Sequence, residues 1–76
     1  MNIYYKYDIN SELYRSNNFN INKYDDIVYL SCYSNNLINL PILPINLIIL
    51  SCSYNNLINL PVLPNNLNFY MNNLIL

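Results

Sequence analysis

Glycine, alanine, threonine, glutamine, histidine and tryptophan do not occur in this 76-residue chain, and only 9% of its residues are charged. Without histidine there is no imidazole to activate a thiol or complete a zinc shell. The two cysteines, 20 residues apart, do not match zinc-ligand spacings either. No cofactor is expected. The shortage of charge beside 54% hydrophobic residues is the reverse of the balance that keeps chains disordered. Three basic residues, Lys6, Arg15 and Lys23, stand apart in a chain of net charge −1, so nucleic-acid binding lacks its phosphate-neutralising patch. Met1 to Lys6 is not a basic region leading into an apolar core, which argues against a secretory signal. The most apolar stretch, Leu37 to Leu50, is interrupted by Asn39, Pro41, Pro44 and Asn46, and falls short of the roughly 20 residues a membrane span needs. The expected address is intracellular, in the cytoplasm, with no membrane partner.

Asparagine, isoleucine, tyrosine and leucine dominate what remains. Most can be written with codons of A and T alone, the mark of an AT-rich genome such as those of some protists and large DNA viruses. In a viral setting the address becomes the host cytoplasm. A compact fold of this length buries only about 60% of its unfolded surface, so stability is expected to be marginal.

The chain repeats itself. Residues 30–44 read LSCYSNNLINLPILP and residues 50–64 read LSCSYNNLINLPVLP, differing only at Tyr33/Ser53, Ser34/Tyr54 and Ile42/Val62. Ile27, Leu47 and Leu67 extend the frame leftward, giving the unit LxxLxCxxNxLxxLPxLPxx. The units are 27–46, 47–66 and a truncated 67–76, preceded by residues 1–26 as an N-terminal cap or degenerate repeat. Around Leu30, Cys32, Leu50 and Cys52 apolar residues alternate with small or polar ones, as in a strand with one buried face. Strands are expected at 29–33, 49–53 and 69–71. Their identical phase predicts parallel stacking, which needs a return path of a dozen or more residues. Pro41, Pro44, Pro61 and Pro64 keep that return extended or polyproline-like, with few or no helices.

Ile27, Leu30, Cys32, Asn35 and Leu37, and again Leu47, Leu50, Cys52, Asn55 and Leu57, match the LxxLxLxxNxL core of the leucine-rich repeat. The LPxLP return resembles the short twenty-residue class of bacterial effectors and of repeat proteins of large DNA viruses. The resemblance covers roughly residues 27–70. It implies a repeat solenoid: a short parallel β-sheet on the concave side and an extended convex side. It also implies a structural ladder in which the Asn35 and Asn55 amides bond the backbone of neighbouring turns, since an asparagine offers both donor and acceptor.

Other residues have less eventful readings. Cys32 and Cys52 take inward slots as small buried hydrophobes, although parallel strands about 4.8 Å apart would also bring them within disulfide reach. The PxxP spacings suit a ligand of a proline-recognising domain but are better explained by the return. Asp8, Glu12, Asp25 and Asp26 lie outside the intact repeats and are read as solvent-facing. No enzyme is expected.

Function is therefore expected to be a protein–protein interaction module without catalytic activity; the alternative is a structural or non-functional fragment of a longer repeat protein. Residues alternating with the inward ones give the candidate protein-binding set, in rows across the strands: Tyr29, Ile49 and Phe69; Ser31, Ser51 and Met71; Tyr33, Ser53 and Asn73. The partner is an unidentified protein, with self-association as the plainer use of the first row.

Overall fold

The fold begins with an antiparallel hairpin, where the sequence period offers no guide. A computed structural model describes residues 1–72, with backbone alone for Phe69–Asn72. Strand β1 (Ile3–Lys6) pairs antiparallel with β2 (Tyr14–Ser16) on one side and with β3 (Tyr29–Ser31) on the other. Beyond β3 the sheet continues in parallel through β4 (Ile49–Cys52) and β5 (Phe69–Asn72). The order is β2-β1-β3-β4-β5.

The parallel half runs at the 20-residue offset: Leu30 faces Leu50, and Leu50 faces Tyr70. Between the strands the chain returns in extended form. Pro44 and Pro64 each open a turn closed by the N–H of Leu47 or Leu67, and backbone bonds join the successive returns, from Ile58 N–H to Ile38 C=O and from Asn56 N–H to Leu37 C=O. The one helical element among the described residues is the short 3-10 turn Tyr24–Asp26.

The expected fold class, a repeat solenoid with a wholly parallel sheet on a concave side, is corrected. The sheet is mixed and not curled, because residues 3–16 fold back against β3 instead of approaching it in parallel. The radius of gyration is 11.5 Å, close to the roughly 11 Å of a compact globule of this length. The molecule is a small mixed-sheet globule.

Its core lies on one side of the sheet. Ile3, Leu30, Leu50 and Cys52 point into it from the strands and meet Cys32, just past β3, and Ile21, Ile27, Leu43, Leu47 and Leu57 from the connecting segments. Tyr5, Tyr7 and Tyr14 close its N-terminal side: Tyr5 stacks on Tyr14 with ring centroids 5.6 Å apart and meets Tyr7 edge-on. Neither cysteine is in a disulfide. Burial, with Cys52 nearby adding to it, pushes the Cys32 thiol up to about 12.

Candidate functional site

The side of the sheet opposite the core is the candidate site, and β-strand alternation decides which residues reach it. With Ile3, Tyr5, Leu30 and Leu50 turned to the core, Tyr4, Lys6, Arg15, Tyr29, Ser31, Ile49 and Ser51 face the other way. Tyr29 and Ile49 face each other across β3 and β4, both half-buried, and neither packs on the core. Ser31 sits between Tyr4 on β1 and Ser51 on β4. Ser31, Ser51 and Ser53 are buried, and Ser31 and Ser51 are the small residues of this face. Tyr33 rises beyond them, 51% exposed, its ring edge-on to that of Tyr54 at 5.2 Å.

The structure thus places Tyr29, Ser31, Ile49 and Ser51 of the candidate set on one face, with Tyr33 and Ser53 at its margin. Phe69 and Met71 continue the two rows in backbone register; Asn73 lies outside the described residues. Sequence reasoning missed Tyr4, Lys6 and Arg15. Antiparallel pairing adds them, setting Tyr4 opposite Ser31, Lys6 opposite Tyr29 and Arg15 opposite Tyr4. The alternation of Ile3, Tyr5 and Tyr7 with Tyr4 and Lys6 was the available signal, and it is only a few residues long.

The face is held in place by the two asparagines at the strand exits. The buried Asn55 amide donates to the carbonyls of Cys32 at 2.9 Å and Cys52 at 3.0 Å, and its oxygen accepts the N–H groups of Asn35 and Leu37, both at 2.9 Å. Asn35 repeats the pattern one strand over. Its amide donates to the carbonyls of Asn2 at 2.8 Å and Cys32 at 3.0 Å, and its oxygen accepts the Asn2 N–H at 2.9 Å. The Asn2 side chain in turn accepts from Arg15 Nε at 2.8 Å, so one chain of hydrogen bonds ties the hairpin to the parallel strands.

Elsewhere the described residues line open hollows, of which two stand out. One, about 550 Å³, lies on the core side against Tyr7, Lys23, Asp26, Val28 and Asn46. The other, about 360 Å³, is apolar, between Ile42, Ile45, Val62 and Pro64. Asp8, Glu12, Asp25 and Asp26 are all exposed, and among the described residues no three His, Cys, Asp or Glu side chains gather as metal ligands would. Among the described residues no helix is long and apolar enough to cross a membrane. No protein-family model, curated protein or solved structure matches the chain.

Proposed function

We propose that the chain is a protein-interaction module without catalytic activity, and that it binds through the sheet face opposite its core. One observation carries the reading: Tyr4, Tyr29 and Ile49 are held by strand register on one face without packing on the core, with the exposed Tyr33 at its margin. A rigid face of aromatic and branched side chains above small polar ones is the composition that anchors protein interfaces, where tyrosine gives large contact area at low entropic cost. The chemistry of the remaining groups supports a binding role over a catalytic one. Burial raises both thiols, which keeps them protonated and poorly nucleophilic, and the exposed carboxylates have no histidine to work with.

Recovery of bound protein from the cells of origin, with Tyr33→Glu/Ile49→Glu against Ile42→Glu/Val62→Glu, tests this. Ile42 and Val62 are 86% and 93% exposed on the return segments, so the control pair adds the same charge away from the face. Loss of partner only with the first pair, at an unchanged denaturation midpoint, is the expected result. Equal recovery by both folded variants would reject the face.

A further inference from the structure

We infer that the partner segment seated on this face is an extended, acidic stretch of polypeptide, gripped at its carboxylates by Lys6 and Arg15. The inference rests on the interaction reading above and adds the chemistry of the ligand.

The argument starts from where the charges fall. Of the three basic residues, Lys6 and Arg15 lie within strands, whereas all four acidic residues, Asp8, Glu12, Asp25 and Asp26, lie outside every strand. Register puts both cations on the face away from the core. Arg15 is directly opposite Tyr4, and Lys6 is two residues further along the same strand as Tyr4. They are therefore diagonal neighbours, with Cβ atoms about 7–8 Å apart. Two like charges at that separation repel, and among the described residues neither has a carboxylate within ion-pair distance. Each is nevertheless held. Lys6 Nζ lies 5.8 Å from the Tyr29 ring centroid and donates to the Ile9 carbonyl at 3.4 Å. Arg15 gives only its Nε, to Asn2, which leaves the two terminal guanidinium nitrogens available for a forked grip on a carboxylate.

Register supplies the track. The row Arg15, Tyr4, Ser31 and Ser51 crosses four strands, about 14 Å at the usual strand spacing, the reach of roughly four extended residues. Its cationic end is at β1 and β2, its serines on β3 and β4. An extended segment laid along it would place acidic side chains at the first end and small or apolar ones over the serines and against Ile49.

The probe is a random copolymer of glutamate and tyrosine, with a lysine–tyrosine copolymer and polyuridylate as comparisons, titrated at low ionic strength. The acidic copolymer should bind best and weaken as salt is added. Lys6→Ser and Arg15→Ser should each weaken it roughly threefold or more, while Arg15→Lys, which keeps the charge but loses the fork, should recover only part of the loss. Lys23→Ser removes the same charge from the core-side hollow and should leave binding unchanged. Equal losses from Lys6→Ser and Lys23→Ser would reduce the effect to net charge and overturn the inference, as would tighter binding of either comparison polymer. If the face variants abolish partner recovery while Lys6→Ser and Arg15→Ser leave both the partner and the acidic copolymer bound, this inference fails and the interaction face stands.

Discussion

Asn55 Oδ1 accepts the backbone N–H of Asn35 at 2.9 Å, so the side chain at one strand exit satisfies the main chain at the exit before it. The amide group of Asn55 is spent wholly on backbone, and at 4% exposure water cannot substitute for it. Asn55→Leu strands these groups and should lower stability by about 1–3 kcal/mol in urea denaturation. Asn66→Leu, at an exposed turn, should lie within about 0.5 kcal/mol of wild type. Equal midpoints for the two would show that the amide is dispensable.

The absence of glycine has a local cost at Ser34, whose φ is 58°. Left-handed backbone costs an ordinary residue roughly 1–2 kcal/mol, which glycine avoids. Ser34→Gly should therefore raise stability by about 1 kcal/mol in urea denaturation, and Ser34→Val should lower it; a destabilising glycine would contradict the strain.

Parallel register explains why so much of β3, β4 and β5 was legible. Residues recurring every 20 positions must occupy equivalent places, which fixes Leu30 beside Leu50 and puts Asn35 and Asn55 at successive strand exits. The expected strands at 29–33 and 49–53 end earlier as regular ladder, at Ser31 and Cys52, although Ser34 N–H still reaches Ser53 C=O. What a period cannot say is what covers the first strand. Residues 1–26 carry no intact copy of the unit, and β1 is fixed by long-range contacts: Tyr4 pairs with Ser31, Ile3 is fully buried in the core, and Asn2 meets Asn35. The hairpin's connection holds no Asn-Gly or similar two-residue signal. Hence the solenoid expectation failed, the sheet being mixed and not curled, and Tyr4, Lys6 and Arg15 went unseen as members of the face.

Burial sets a pH dependence. Cys32 and Tyr24 are each pushed up to about 12, Cys32 by burial and then Cys52, Tyr24 by burial and then Cys32. In the unfolded chain they ionise near 9 and 10. Between those values and about 12 the unfolded state binds fewer protons than the folded one, so stability falls as pH rises and is undisturbed by these groups below about 8. Cys32→Val should flatten part of that fall. A variant as alkali-sensitive as wild type would remove the thiol from the account.

Packing divides the leucines and isoleucines sharply. Leu50 is fully buried and Leu50→Ala should cost about 2–5 kcal/mol; Ile42→Ser, on a side chain 86% exposed, should change stability by about 0.5 kcal/mol or less. Comparable losses would mean that the return segment, not the sheet, holds the core.

The face itself is tested most directly by a photo-crosslinking side chain placed at Tyr33 or at Ile58. These sites are 51% and 55% exposed, so any difference reflects what each faces rather than how accessible it is. On illumination in the cells of origin, the residue 33 variant should give a discrete higher-mass adduct, and the residue 58 variant should not. Adducts of equal yield from both, or from residue 58 alone, would contradict the claim that this protein binds through the side of the sheet turned away from its core.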